Sequence, residues 1–311
     1  PVSPNITLNL VVGALLGLLV GMAGAVVRDM LDTSIKSREE LGEATGSAVM
    51  SVIPFDSSVP KNPLISANLS RTERAEAFRV FRTNLQFIDI DSERHVLAIS
   101  GALPNEGKTV TSTNLAISLA ESGKRILLMD CDLRKPRVAK LLGLENSVGL
   151  ISVLVGRAAV ADCIQQYKNG LDVLATGPLP PNPAEVLGTR VMTELLEMLG
   201  EVYDVIIIDA PPLLPVADPA IIASHVDGVI LVVRHGKTSR DHVEQAVGRL
   251  NLVGARVVGS VLNMTPKRSM GGYGYGYGYT DEIPTKVRPG ARRSNASATF
   301  EPVGDSMEQR T

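Results

Sequence analysis

The chain has 311 residues, of which 44% are hydrophobic and 21% are charged, and its formal net charge is −2. A sequence this long and this apolar can bury the core of one α/β domain with appendages, which excludes a chain that is disordered throughout. The small net charge provides no chain-wide basic field, so we expect no nucleic-acid partner.

The first predicted element is a membrane-spanning helix. Residues 8–27 contain no charged side chain, and a run of about 20 apolar residues is long enough to cross a bilayer as one helix. A buried core helix is the alternative, whereas a signal peptide is disfavoured because no basic segment precedes the run. Arg28, Lys36 and Arg38 follow the run, so the positive-inside rule predicts a cytoplasmic location for the rest of the chain.

The composition predicts four regions. They are a membrane helix, a juxtamembrane linker, a P-loop domain and a flexible tail, at residues 1–30, 31–70, 71–268 and 269–311, respectively. The linker is inferred from Pro54, Pro60 and Pro63, because clustered prolines are typical of connecting segments.

A charged helix is predicted at the start of the folded domain. Residues 72–87 contain good helix formers and place Glu76, Arg79 and Arg82 three residues apart, close to one helical face. Such a face by itself usually indicates exposure to solvent.

The central motif is a phosphate-binding loop. Residues 95–100 form an apolar strand pattern, and a helical pattern follows the loop. In such a loop the backbone N–H groups and the helix dipole bind phosphate, Lys108 reaches the β- and γ-phosphates, and the Thr109 hydroxyl binds Mg²⁺. The first glycine of G-x-x-x-x-G-K-[ST] would fall at Ala102, but the glycine stands one position earlier, at Gly101. We therefore expect ATP and Mg²⁺ to bind at Gly101, Pro104, Asn105, Glu106, Gly107, Lys108, Thr109 and Val110.

Two further strands are predicted to end in carboxylates. Residues 125–129 lead into Asp130 and Asp132, and residues 205–208 lead into Asp209. Ligands of parallel α/β sheets bind at the carboxyl ends of the strands, so these side chains should converge on one Mg-nucleotide. For any single aspartate, a turn or a helix cap is the alternative.

The fold class follows from the alternation of these patterns. Two more apolar runs, residues 228–233 and 257–262, alternate with helical stretches such as residues 242–250. The sequence therefore predicts an α/β fold of the P-loop NTPase type, with a mostly parallel sheet and helices on both faces.

Taken together, these motifs resemble one bacterial family. The Gly-Lys-Thr loop, the Asp-x-Asp-x-Arg motif at residues 130–134, the Ile-Asp-Ala-Pro-Pro motif at residues 208–212 and a tyrosine-rich tail behind a membrane span are all present. This combination resembles the bacterial tyrosine kinases of capsule and exopolysaccharide synthesis, and the resemblance covers roughly residues 5–280.

The resemblance implies a role for each carboxylate. Asp132 and Asp209 would support the metal with Thr109, Asp130 would accept the proton of the incoming tyrosine hydroxyl, and Arg134 would help to organise the site. Phosphoryl transfer requires mainly positioning and cations, with one acceptor for that proton. Asn263 could contact the adenine base, as in related P-loop proteins, although a turn at the strand end is an equal alternative.

The tail carries the predicted substrate tyrosines. Tyr273, Tyr275, Tyr277 and Tyr279 alternate with glycines and are four of the six tyrosines in the chain. Such a segment should be flexible and exposed, and each phosphate would add a charge of about −1.5 to −2. A low-complexity linker is the alternative.

The family resemblance also implies partners and a location. Glu76, Arg79 and Arg82 match a Glu-x-x-Arg-x-x-Arg motif through which subunits form a ring and offer tails to neighbouring sites. The chain would be embedded in the bacterial inner membrane through the last helix of a chain-length determinant. There it would work with the polysaccharide synthesis and export machinery and with a protein-tyrosine phosphatase.

Two alternative functions would also require a bound nucleotide. A membrane-tethered regulatory ATPase of the cell-division type shares these motifs, but it usually carries an additional lysine early in the loop, and residues 101–105 have none. The other rival is a structural co-polymerase in which ATP only modulates assembly.

Overall fold

The computed structural model describes residues 6–65, 72–87 and 95–266. The predicted tyrosine cluster at residues 273–279 lies outside these ranges. The described strands form one sheet, and in chain order they are β1 (Val49–Pro54), β2 (His95–Ser100), β3 (Ile126–Asp130), β4 (Ile164–Gln166), β5 (Leu171–Leu174), β6 (Val205–Asp209), β7 (Gly228–Arg234) and β8 (Val257–Thr265).

The sheet is parallel except at one edge. Its order is β1-β8-β7-β2-β6-β3-β5-β4, and only β4 runs antiparallel to its neighbour. The register pairs Asp209 with Ile99 on β2 and with Asp130 on β3, so the two carboxylates end adjacent strands. The predicted fold class is confirmed, and five predicted strands correspond to β2, β3, β6, β7 and β8.

Helices cover both faces of the sheet, and one long helix at the start of the described residues is exposed. They are α1 (Ile6–Met30), α2 (Arg38–Thr45), α3 (Glu73–Leu85), α4 (Lys108–Ala120), α5 (Val138–Leu142), α6 (Leu150–Leu154), α7 (Val160–Cys163), α8 (Pro183–Leu187), α9 (Arg190–Gly200), α10 (Asp218–Ala223) and α11 (Arg240–Leu252). A short 3-10 turn at Lys168–Gly170 precedes β5.

The two large clusters of the hydrophobic core lie on opposite faces of the sheet, because successive residues of a strand point to opposite faces. On β3, Leu127 and Met129 pack in one cluster with apolar residues of α9 and α10, whereas Ile126 and Leu128 pack in another with α3 and α4. Strands buried on both faces read as continuous apolar runs, which is why β3 and β6 were recognisable in the sequence.

The structure contains a helix that could span a membrane, at the position that the sequence predicts. Within the described ranges, Thr7–Met30 is the one helix long and apolar enough to cross a membrane, with a mean hydropathy of 2.5. Its most apolar stretch buries nothing against the rest of the chain. This exposure does not fit a core helix.

The segment interpreted as a linker contributes to the sheet, which is a difference from the expectation for residues 31–70. β1 pairs in parallel with β8, for example Val52 with Leu262. Met50 and Ile53 are buried. Met50 fills the space beside Gly259, because a Cβ on Gly259 would lie 2.0 Å from Met50 Cε. Pro54 ends this strand instead of marking a loop, because proline is tolerated at strand ends.

Candidate active site

The phosphate loop joins β2 to α4 and depends on one glycine at the helix start. Gly107 has φ of 90°, in the left-handed region, and a Cβ there would lie 2.3 Å from Asn263 Nδ2. Only glycine meets both constraints without strain. The first backbone N–H groups of α4 have no intrahelical partner, so they can donate to phosphate.

A cleft of about 1090 Å³ opens in front of this loop. Its wall contains nine of the predicted site residues, namely Pro104, Asn105, Gly107, Lys108, Thr109, Val110, Asp132, Arg134 and Asn263. Four others are buried and are not part of that wall, namely Gly101, Glu106, Asp130 and Asp209. Residues of the segment interpreted as a linker, including Phe55 and Lys61, also line the cleft.

Lys108 is turned back onto its own loop. Its Nζ donates to the carbonyl oxygen of Leu103 at 3.0 Å. Burial lowers the pKa of Lys108, whereas the charges of Glu106, Asp209 and Asp132 oppose that shift. Lys108 must therefore leave the Leu103 carbonyl to contact a phosphate.

Asp130 holds the backbone of the loop that follows β3. Its Oδ1 accepts from the Asp132 amide at 3.2 Å, and its Oδ2 accepts from the amides of Arg137 and Val138 at 3.1 and 3.0 Å. Burial and the charge of Asp209 both raise the pKa of Asp130. Both carboxylate oxygens are thus engaged by main-chain donors, an arrangement that differs from the open position expected of a proton acceptor.

Asp132 faces the cleft. Its Oδ1 accepts from the amides of Arg134 and Lys135 at 3.3 and 3.0 Å, which fixes the side chain at the start of the loop. Asp132 is half-buried. It is therefore the carboxylate of this motif that a bound ligand can reach.

Asp209 has an unsatisfied oxygen. Its Oδ1 accepts from Ser112 Oγ at 3.0 Å, while the buried Oδ2 has no hydrogen-bond partner among the described residues. Burial raises the pKa of Asp209, although hydroxyl groups of the neighbouring helix oppose the shift. A buried oxygen without a partner is costly, and a cation would satisfy it.

These residues fit a magnesium ion that is bound together with phosphates. In the described ranges, no group of three or more His, Cys, Asp and Glu side chains is arranged to hold a metal by itself. Mg²⁺ usually takes one or two carboxylates and completes its shell with waters and substrate phosphates. The hydroxyl and carboxylate set of Thr109, Asp132 and Asp209 matches that requirement.

Arg134 makes a forked ion pair within the chain. Its Nη2 donates to Asp218 Oδ1 at 3.2 Å, and its Nε donates to Oδ2. The Asp218 side chain is 1% exposed, whereas that of Arg134 is 46% exposed. The pair joins the loop after β3 to the start of α10.

Asn263 supports the phosphate loop from β8. Its Nδ2 donates to the main-chain oxygen of Glu106 at 2.8 Å, and its Oδ1 accepts from the Met264 amide at 2.9 Å. Both ends of the amide are thus occupied within the protein. Because Asn263 also lines the cleft, its contact with the adenine base stays a prediction.

The charged residues of α3 have different surroundings. Glu76 and Arg79 form an ion pair on the exposed face. Arg82 instead donates through Nη1 to the carbonyl oxygen of Ser118 on α4, at 2.9 Å. One arginine of the predicted self-association motif therefore makes a contact inside the chain.

Two structural roles were missed in the sequence. The Glu106 carboxylate is turned behind the loop toward Thr238, and the Asn114 side chain holds the carbonyl of Pro63 and the amide of Ile65. The shifted glycine at Gly101 was the sequence signal for the role of Glu106. No sequence signal indicated the role of Asn114.

The chain is similar in sequence to tyrosine-protein kinases of bacteria. The sequence model of a family described as an AAA domain matches residues 95–262. Tyrosine-protein kinase etk of Escherichia coli K12 is 33% identical over 294 residues, which cover 88% of this chain and 40% of that protein. Tyrosine-protein kinase YwqD of Bacillus subtilis 168 is 39% identical over 201 residues, which cover 64% of this chain and 85% of that protein.

The fold is similar to a solved kinase domain. The kinase domain of Escherichia coli tyrosine kinase ETK superposes with a TM-score of 0.70 at 33% identity, covering 78% of this chain and 100% of that one. The chain spans about 40% of the length of the enterobacterial relatives.

Proposed function

Because the chain belongs to the family of bacterial tyrosine-protein kinases, we propose that it transfers the γ-phosphoryl group of ATP to tyrosine hydroxyls. The acceptors would be those of Tyr273, Tyr275, Tyr277 and Tyr279 in its own tail. The observation that carries this proposal is the convergence of Lys108, Asp132 and the unsatisfied Asp209 oxygen at the carboxyl edge of one sheet.

The phosphate loop would hold the nucleotide. Main-chain amides at the start of α4 would donate to the phosphates, and Lys108 would exchange the Leu103 carbonyl for a phosphate oxygen. Thr109 and Asp209 would hold Mg²⁺ and leave Asp132 available to accept a proton; the bound ion neutralises charge on the phosphates. Positioning and charge neutralisation account for most of the catalysis of phosphoryl transfer.

The tyrosine hydroxyl must lose a proton during transfer, and Asp132 is the favoured acceptor. It lines the cleft, whereas both oxygens of Asp130 are engaged by main-chain amides. Asp130 would act by fixing the loop that carries Asp132. Arg134, paired with Asp218, would fix the far end of the same loop.

The cellular setting is part of the proposal. Helix α1 would span the inner membrane, with the basic residues after it keeping the sheet domain in the cytoplasm. The chain would form a ring through α3 so that tails reach neighbouring sites, and it would regulate capsule or exopolysaccharide synthesis and export. A protein-tyrosine phosphatase would reverse the modification.

The test is phosphotyrosine mass spectrometry on the full chain in detergent, incubated with Mg-ATP. Phosphate on the four tail tyrosines is expected in the unmodified chain and absent in Lys108→Met. Lys124→Met is the control, because this exposed lysine lies in the turn between α4 and β3 and outside the cleft wall. Replacing all four tail tyrosines by Phe should remove most of the label, whereas Tyr167→Phe should not.

Two outcomes would contradict the proposal. ATP hydrolysis by the unmodified chain without any phosphotyrosine would indicate a membrane-tethered regulatory ATPase instead. Equal phosphotyrosine in the unmodified chain and in Lys108→Met would show that this lysine does not serve the transfer.

A further inference from the structure

A buried carboxylate lies behind the phosphate loop and bridges two loops. Glu106 is 1% exposed. Its Oε2 accepts from the Leu103 amide at 2.8 Å, and its Oε1 accepts from the Thr238 hydroxyl at 2.6 Å. The bridge joins the phosphate loop to the turn between β7 and α11. Each carboxylate oxygen therefore has a defined donor.

The position of the loop glycine is explained by this carboxylate. A Cβ on Gly101 would lie 2.2 Å from Glu106 Oε2 and 2.6 Å from the carbonyl oxygen of Val232. Any side chain at this position would displace the carboxylate. Both the Glu106 carboxylate and the Val232 carbonyl therefore require glycine at position 101.

The same carboxylate holds the residue whose carbonyl oxygen accepts from Lys108. Leu103 donates its amide to Glu106 and accepts from Lys108 at its carbonyl, at 2.8 and 3.0 Å. When Lys108 leaves that carbonyl for a phosphate, the Leu103 amide is still held by Glu106. The loop can then keep its shape while its lysine moves.

Thr238 is itself held firmly. It is buried, and its hydroxyl also accepts from the Arg234 amide at 3.3 Å. Its carbonyl accepts from the Ile35 amide at 2.9 Å. Arg234 reaches back to the phosphate loop through Nη1, which lies 3.4 Å from the Asn105 carbonyl. The loop is therefore supported from a well-anchored turn.

On this geometry we propose that Glu106 and Thr238 are positioning residues for phosphoryl transfer, which set the shape of the phosphate loop without touching nucleotide or tyrosine. The proposal rests on the proposed function for its readout. Glu106 acts through Leu103 on Lys108, and Thr238 acts through Glu106. A loop displaced by a fraction of an ångström would still bind nucleotide but would misplace the transferring group.

The experiment compares Thr238→Val with Thr238→Ser in the full chain. Valine keeps the shape but removes the hydroxyl, whereas serine keeps the donor. We expect Thr238→Val to lower kcat by about tenfold, which corresponds to a hydrogen bond to a charged group. The KM for ATP should change by less than about threefold because main-chain phosphate contacts remain. Thr238→Ser should restore most of the rate.

A double-mutant cycle tests the link itself. Glu106→Ala combined with Thr238→Val should be no slower than the slower single variant, because both changes remove one interaction. Thr193→Val is the matched control, since the Thr193 hydroxyl contacts His225 and Thr193 is not part of the cleft wall. Urea unfolding of each variant separates loss of fold from loss of rate.

Either of two results would overturn the proposal. One is a kcat for Thr238→Val equal to that of the unmodified chain; the other is an equal fall for Thr238→Ser and Thr238→Val. ADP release is measured beside phosphotyrosine. If the unmodified chain hydrolyses ATP without labelling tyrosine, the proposed kinase function is wrong. The ratio of the ADP-release rates of Thr238→Val and Thr238→Ser still tests the positioning role in that case.

Discussion

Asn263 donates its side-chain amide to the main-chain oxygen of Glu106 at 2.8 Å, so the eighth strand holds the phosphate loop from behind. The same amide nitrogen lies close to Gly107, where a Cβ would approach it to 2.3 Å. The residue predicted to contact the adenine base therefore also supports the phosphate loop.

The first prediction separates these two roles of Asn263. Asn263→Ala should weaken ATP and GTP binding by a similar factor of about 3 to 10, since a net hydrogen bond contributes about 0.5–1.5 kcal/mol. Isothermal titration with both nucleotides measures it. Asn251→Ala, on the exposed side of α11, serves as the control. A changed ratio of ATP to GTP affinity would instead indicate contact with the base.

The second prediction concerns the forked pair between Arg134 and Asp218. Arg134→Ala should lower the free energy of unfolding by about 1–2 kcal/mol, because a buried carboxylate loses its donors. Urea unfolding measures the change. Arg190→Ala breaks an ion pair whose two partners are exposed, so its unfolding curve should match that of the unmodified chain. Equal curves for both variants would mean that the first pair is not stabilising.

The third prediction distinguishes the charged residues of α3. Arg82→Ala should lower stability by about 0.5–1.5 kcal/mol as well as self-association, because Arg82 bonds the Ser118 carbonyl within the chain. Glu76→Ala should affect self-association alone, since Glu76 is exposed. Mass photometry and urea unfolding give the two readouts. If Glu76→Ala leaves the oligomer unchanged, the α3 face is not the interface.

The fourth prediction concerns the segment before the charged helix. A chain starting at residue 31 should unfold cooperatively, whereas one starting at residue 56 should aggregate or unfold without a sharp transition. The shorter chain lacks Ile35, Leu41, Met50 and Ile53, all of which are buried. Each such side chain contributes about 1.5–3 kcal/mol, so their sum is comparable to the 5–15 kcal/mol that stabilise a typical domain. Cooperative unfolding of the shorter chain would show that β1 is dispensable.

The sequence was sufficient for the interior strands of the sheet. β2, β3, β6, β7 and β8 carry continuous apolar runs because both faces are buried, and that pattern is easily recognised. β1 was missed because Ser51 interrupts its apolar run and Pro54 suggests a loop. Ser51 is nevertheless buried, with its hydroxyl donating to the Ala77 carbonyl at 2.7 Å. β4 and β5 are too short to show a period.

The sequence was sufficient to predict which residues gather at the site, but not which way their side chains point. Residues two positions apart on a strand point to the same face, so strand alternation does not distinguish Asp130 from Asp132 or state which one meets the ligand. That depends on the turn after β3, where amides of Arg137 and Val138 capture Asp130. The bridge from Glu106 to Thr238 spans 132 positions of sequence, and no local pattern announces it.

The segment between α1 and the folded domain is short, and its length determines where two copies of the chain can meet. The helix ends at Met30, and the Thr33 carbonyl already accepts from the Arg240 amide at 3.0 Å. Three extended residues reach at most about 10 Å. With α1 in a bilayer, the catalytic cleft cannot move away from the lipid surface. The rate at which one copy modifies another would then depend on lateral diffusion and surface density and not on the volume of the cell.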